Sequence, residues 1–143
     1  MLTLLKAIIP GGSSSKVLRA DETYKLKDGR EIGIMDIPMD FDTMAQCGTM
    51  AGSGGVIIMD DSRSMTWVIN NLNKFYQHES CGQCTPCRNG TAKASALIAK
   101  PTWDVDLLAD LSAVMRDASI CGLGQAAPNP VDCVVKYFPQ ELA

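Results

Sequence analysis

Cys81-Gly82-Gln83-Cys84-Thr85-Pro86-Cys87 sets three cysteines at equal short spacing. The reading of this stretch decides what kind of domain surrounds it. A C-x2-C-x2-C loop can wrap a polynuclear iron–sulfur cluster and ligate three of its irons. The intervening backbone N–H groups then turn toward the sulfurs, where hydrogen bonds tune the potential. Gly82 admits an unusual backbone angle and Pro86 stiffens the turn. Zinc sites are usually built from two separated C-x2-C pairs or from Cys/His mixtures. A third cysteine at the same spacing therefore favours one 4Fe–4S cluster, with a zinc-stabilised structural or interaction domain as the alternative.

In two-cluster ferredoxins a fourth cysteine follows closely and serves the other cluster. Here Gly90 and Thr91 stand in that region, and there is no second triplet. A single cluster must find its fourth ligand elsewhere. Cys121, in Ser119-Ile120-Cys121-Gly122-Leu123-Gly124, is the stronger candidate because it is expected in a loop at a helix end. Cys133 is the rival, but it falls on the apolar face of an expected helix. Cys47 and Cys133 read as small buried hydrophobes. The chain has 6 cysteines and no visible export signal, a pattern that suits metal or redox work better than disulfides. His78 is the only histidine, which rules out a multi-histidine metal site.

Working outward, Met65, Val68, Ile69, Leu72, Phe75 and Tyr76 recur at helical spacing, with Ser62 as the expected N-cap. A second, Ala-rich helix is expected from Asn89 to Ala99, stopped before Pro101. A third, capped by Thr102 or Asp104, carries Val105, Leu108, Leu111, Val114, Met115 and Ala118. Asn129-Pro130 opens a last short helix with Val131, Val134, Val135 and Phe138. Four amphipathic helices with short connections predict a bundle over residues 62–143. Residues 1–61 are different. Lys6-Ala7-Ile8-Ile9, Lys16-Val17-Leu18-Arg19 and Val56-Ile57-Ile58-Met59 read as short strands among glycines, too few for a complete sheet. The predicted class is α+β: a partial β-grasp-like N-terminal segment and connector, then a four-helix-bundle iron–sulfur domain.

The composition, 46% hydrophobic and 20% charged over 143 residues with a net charge of −3, is that of a globular protein. It gives no footprint for nucleic acid or anionic lipid. No stretch reaches the roughly 20 apolar residues of a membrane span, and no signal peptide is visible. The chain thus reads as cytoplasmic, with no direct membrane insertion, and free to sit at the inner face of a membrane within a complex. Pro10-Gly11-Gly12-Ser13-Ser14-Ser15 lacks the Gly-Lys-Ser/Thr ending of a P-loop. Gly52-Ser53-Gly54-Gly55 precedes a strand instead of following one, so it is no dinucleotide fingerprint.

With these residues in hand, the chain resembles the C-terminal part of the NADH-binding flavoprotein subunit of complex I. The same module occurs in the NAD-linked subunits of soluble hydrogenases and formate dehydrogenases. His78-Glu79-Ser80-Cys81-Gly82-Gln83-Cys84-Thr85-Pro86-Cys87-Arg88 is similar to the family's cluster loop, and Cys121 sits where its fourth ligand sits. Ala7-Ile8-Ile9-Pro10-Gly11-Gly12-Ser13-Ser14 is similar to the end of its β-grasp soluble-ligand-binding region. Met39-Asp40-Phe41 and Gly52 through Asp60 resemble the segment before the bundle. Gly122-Leu123-Gly124-Gln125 with Pro128-Asn129-Pro130 looks closer to the hydrogenase and formate dehydrogenase branch.

The resemblance implies a 4Fe–4S cluster held by Cys81, Cys84, Cys87 and Cys121, with electrons arriving from FMN reduced by NADH. FMN and NAD(H) belong, by the same resemblance, to an earlier domain or subunit whose Gly-rich motif this chain lacks. The chain would then be a fragment or split-gene product of an NADH dehydrogenase or diaphorase-type oxidoreductase, inactive alone. Its implied partners are that FMN/NADH-binding domain, a 2Fe–2S thioredoxin-like subunit and a further iron–sulfur subunit.

Overall fold

The computed structural model describes residues 4–142, which form two compact units divided between Arg63 and Ser64. In the first unit, β1 (Leu5–Ile9) is the central strand of a three-stranded antiparallel sheet. It pairs with β2 (Leu18–Arg19) through Ala7↔Arg19 and Ile8↔Leu18. On its other edge it pairs with β5 (Ile57–Asp60) through Ile9↔Ile57, Ile8↔Ile58 and Ala7↔Met59. The alternation of a half-covered sheet is clear: Ala7, Ile9 and Met59 are buried while Ile58 is exposed. The loops flanking this sheet interlock, with Ser53 N–H donating to the Gly11 carbonyl at 3.0 Å. Gly11 is needed there, because a Cβ on it would overlap the backbone of Met50 and Ala51.

A hairpin and a short helix complete this unit. β3 (Thr23–Lys25) and β4 (Glu31–Gly33) pair antiparallel around Asp28-Gly29. The helix α1 (Phe41–Gln46) is capped by Asp40, whose carboxylate accepts from Thr43 N–H at 2.7 Å and Thr43 Oγ1 at 2.9 Å. Its Met44 closes a small core with Leu18, Ile34 and Ile37. Neither the hairpin nor α1 is among the elements expected from the sequence pattern.

The second unit is a helical bundle. α2 (Met65–Glu79) packs on α3 (Thr85–Ile98), α3 on α4 (Val105–Ala118), and α6 (Asn129–Tyr137) on both α2 and α4. A one-turn helix, α5 (Gly122–Ala126), lies against α3 and α4. Met65, Ile69, Leu108, Met115 and Val134 fill the middle. Full burial of each such side chain contributes about 1.5–3 kcal/mol. The buried Asn73 of α2 is satisfied by α3, donating to the Thr91 carbonyl at 3.3 Å and to Ser95 Oγ at 2.7 Å. Arg116 of α4 pairs with Asp132 of α6 near the surface.

Several boundaries differ from expectation, each for a local reason. Ser64, not Ser62, caps α2, accepting from Trp67 N–H at 3.3 Å. Ser62 is already held in a turn by the Asp60 carboxylate, at 3.1 Å from its N–H and 2.6 Å from its hydroxyl. α3 begins at Thr85 instead of Asn89, because Pro86 suits the first turn of a helix. Asn129 lies inside α6, since Ala127 and Pro128 already hold helical angles. Phe75 and Val114, assigned to apolar stripes, are about half exposed at 49% and 54%.

Candidate metal centre

Two stretches of the bundle meet at one end. The first is the segment from Ser80 to Cys84 together with the first turn of α3. Cys84 is the N-cap residue of α3, and Cys87 lies in its opening turn instead of in a loop. Pro86 cannot donate an N–H and needs none at that position, so the cysteine motif folds directly into helix. Gly82 takes φ +77°, the left-handed angle that turns the chain between Cys81 and Cys84. Arg88 fastens the turn, donating to the Gly82 carbonyl at 2.5 Å and to Thr85 Oγ1 at 3.3 Å. Thr91 donates its hydroxyl to the Cys87 carbonyl at 2.8 Å, one turn back along α3.

The second stretch is the tight connection between α4 and α5. Cys121 is the N-cap residue of α5, so the expected Cys121–Gly124 loop is largely helix. Gly124 lets this connection lie against α3. A Cβ there would stand 2.8 Å from Cys87 Cβ and would overlap the Ser119 side chain. Gln125 Nε2 donates to the Ser119 carbonyl at 3.1 Å and braces the same turn.

Cys81, Cys84, Cys87 and Cys121 line one hollow of about 110 Å³, together with Glu79, Ser80, Gln83 and Leu123. A single water needs about 10–15 Å³, so the hollow has room for a group of several atoms. Cys81 and Cys121 are exposed, Cys84 is half-buried and Cys87 is buried. Among the described residues, no three His, Cys, Asp or Glu side chains converge as they would on a single ion. Cys133 is buried in α6 and does not line the hollow, and Cys47 lies in the other unit. His78 is at the surface, 2.9 Å from the Glu79 carboxylate.

The surroundings favour negative charge on sulfur. The Cys84 thiol is drawn below its ordinary value, first by the Ile120 N–H and then by the Cys87 N–H, with burial opposing them. Cys87 Sγ lies 3.3 Å from Ser80 Oγ. That hydroxyl oxygen also receives the Gly82 N–H at 3.4 Å. Ser119 Oγ is buried with no hydrogen bond of its own. An orphaned buried hydroxyl costs about 1–3 kcal/mol. Soft sulfur donors spread around a polyatomic hollow, with N–H and O–H groups aimed at them, fit an iron–sulfur cluster. Ser80, Arg88 and Ser119 are not among the residues singled out from sequence. Ser80 and Arg88 stand inside the cluster-loop stretch and Ser119 opens the one around Cys121, but serines beside helix ends ordinarily read as caps and none of the three is given a role from sequence.

Comparison with known proteins agrees on the family. Residues 67–143 match the NADH-ubiquinone oxidoreductase-F iron-sulfur binding region, a 4Fe–4S family. The NADH-quinone oxidoreductase F protein of Rickettsia rickettsii (strain Sheila Smith) is 36% identical over 96% of this chain and 31% of its own length. Its counterpart in Rickettsia massiliae (strain Mtu5) is 39% identical with the same coverage. The chain thus spans about a third of the curated relatives that it matches. A crystal structure of an NAD+-reducing [NiFe]-hydrogenase in the air-oxidized state superposes with a TM-score of 0.73 at 29% identity, over 99% of this chain and 23% of that one. The H2-reduced state of such a hydrogenase gives a TM-score of 0.72 at 28% identity. The chain therefore belongs to the family of the NADH-ubiquinone oxidoreductase-F iron-sulfur binding region, whose cofactor is a 4Fe–4S cluster.

Proposed function

We propose that Cys81, Cys84, Cys87 and Cys121 hold one 4Fe–4S cluster, and that this chain is an electron-relay module of a multisubunit NAD(H)-linked oxidoreductase. The observation that carries the reading is the meeting of the four thiols, from two distant stretches of sequence, around one hollow. When bound, the cluster supplies reversible one-electron chemistry. The chain's own residues fix where that chemistry happens. Cys84 and Cys87 ride on the start of α3, which the bundle core holds rigid through Asn73 and Thr91. Positioning of this kind limits movement around the site during electron transfer.

In the complete assembly, electrons reach the four-cysteine site from FMN that NADH has reduced, in an adjoining domain or subunit. The chain's further partners there are a 2Fe–2S thioredoxin-like subunit and a further iron–sulfur subunit. Residues 1–61 are read as the latter part of a β-grasp region with its connector, and 62–143 as the iron–sulfur domain. The module works on the cytoplasmic side, peripheral to any membrane. Among the described residues no helix is long and apolar enough to cross one.

The test is metal analysis of the full chain after anaerobic reconstitution with iron, sulfide and zinc together. The expected result is about four iron and four acid-labile sulfide per chain, with brown colour and little zinc. Stoichiometric zinc without sulfide would overturn the reading in favour of a structural zinc domain.

A further inference from the structure

We infer that Ser119, working with Ser80, is a hydroxyl donor to a ligand sulfur that sets the reduction potential of the centre. This rests on the four-cysteine reading above. The observation is the isolation of the Ser119 hydroxyl. The residue is 6% exposed, and its Oγ has no hydrogen-bond partner. Its carbonyl accepts from Gln125 and its N–H donates to the Met115 carbonyl. Only the hydroxyl is left over.

Packing alone does not account for it. Gly124 presses on the Ser119 Cβ and Oγ from one side, and Gly124 also faces Cys87 Cβ. An alanine would fill the same space without an orphaned oxygen. A hydroxyl in such a place implies an acceptor that becomes good only when the site is loaded. The cysteines beside it supply one: the point that a Gly124 Cβ would occupy lies 2.4 Å from Ser119 Oγ and 2.8 Å from Cys87 Cβ, so the unpartnered hydroxyl stands next to a residue of the site. As a neutral thiol, sulfur is a weak acceptor; as a metal-bound thiolate, it carries the charge that a hydroxyl seeks.

Ser80 gives the formed version of the same device. Its oxygen receives the Gly82 N–H at 3.4 Å, which leaves its own proton for Cys87 Sγ at 3.3 Å. Both serines thus stand beside Cys87, on the start of α3. Hydrogen bonds to sulfur withdraw electron density and make the reduced state easier to reach, so both serines raise the potential. Neither serine loses its proton or touches iron. They act through the cysteines.

The experiment measures the potential of the reconstituted full chain by spectroscopic redox titration, for the parent, Ser119→Ala, Ser80→Ala and Ser119→Thr. Iron and sulfide content is measured beside each. Ser119→Ala is expected to load fully and to shift its potential negative by up to about 59 mV, a tenfold change in the one-electron equilibrium. Ser80→Ala shifts in the same direction, and Ser119→Thr, which keeps the hydroxyl, stays close to the parent. Deuterium exchange should also remove one hydroxyl coupling from the spectrum of the reduced parent that Ser119→Ala lacks from the start. A fully loaded Ser119→Ala with the parent potential overturns the inference. So does loss of the cluster in both Ser119 variants, which assigns the residue to packing. If Ser119→Ala fails to load but Ser119→Thr loads at the parent potential, the hydroxyl is needed to assemble the centre and not to tune it, which also overturns the inference. A parent chain that takes up no iron and sulfide refutes the four-cysteine reading instead.

Discussion

Gly90 on α3 faces Met115 on α4 with no room for a methyl group between them: a Cβ on Gly90 would overlap Met115 Cγ and Sδ. Met115 is 2% exposed and packs with Tyr76 and Ala127, so it has little space into which to retreat. Gly90→Ala should therefore destabilise the bundle by about 1–3 kcal/mol through overpacking. Met115→Ala should cost about 2–5 kcal/mol alone. The double variant should cost clearly less than the sum, because the new methyl occupies part of the vacated space. Denaturant titration followed by Trp103, which is buried in the same unit, gives all three values. Strict additivity would contradict the contact.

The amide of Asn73 is the polar tie between α2 and α3. Asn73→Ala leaves the Ser95 hydroxyl without this donor and should cost about 1–3 kcal/mol. Replacing both partners, as Asn73→Leu with Ser95→Ala, should recover most of that loss, since no orphaned group remains. Equal instability in the single and double variants would mean that the tie is not the reason for the cost.

Arg88 should matter to retention of the cluster more than to folding. Its guanidinium bridges the Gly82 carbonyl and the Thr85 hydroxyl across the cysteine turn, at the surface. Arg88→Ala is expected to leave helical content unchanged while iron is lost to a chelator about tenfold faster, the scale of an outer-shell effect. The rate is read from bleaching of the visible absorbance. An unchanged rate would show that the turn needs no clamp.

The cap of α1 carries a pH dependence of known sign. Asp40 is held below its ordinary value of 3.8, first by the Thr43 N–H and then by the Thr43 hydroxyl. A carboxylate whose value falls on folding stabilises fully above its unfolded value. That contribution fades as pH drops through the lower, folded value. Amide exchange at Thr43 should therefore rise, relative to base-catalysed expectation, below about pH 4. Asp40→Asn keeps a capping oxygen without the charge, and its protection should be flat across the same range. A pH response in the asparagine variant like that of the parent would assign it to another group.

The bundle is legible in the sequence because apolar stripes such as Val68, Ile69 and Tyr76 repeat with the period of the helix, and tertiary packing then uses them. Caps are less legible, since Ser62 and Ser64 offer the same chemistry and only the Asp60 turn decides between them. The hairpin β3–β4 does carry a signal, Asp28-Gly29, a frequent hairpin turn. Its three-residue strands are too short to show alternation. At the centre, spacing singles out Cys81, Cys84 and Cys87. It leaves Cys121 and Cys133 in competition, and burial of Cys133 in α6 distinguishes their surroundings. The Ser119 hydroxyl has no sequence signal at all. Its isolation depends on the approach of Gly124, which is a fact of three-dimensional packing.

The central claim is that the fourth sulfur at the site is that of Cys121. The measurement is iron and acid-labile sulfide per chain, with the electron paramagnetic resonance of the reduced protein, for Cys121→Ser and Cys133→Ser reconstituted beside the parent. Cys121 lines the hollow and Cys133 is buried within α6. Cys133→Ser should therefore keep about the parent's iron and its signal. Cys121→Ser should lose most of the iron or hold a centre with an altered signal. Equal loss in the two variants, or loss confined to Cys133→Ser, would contradict the account.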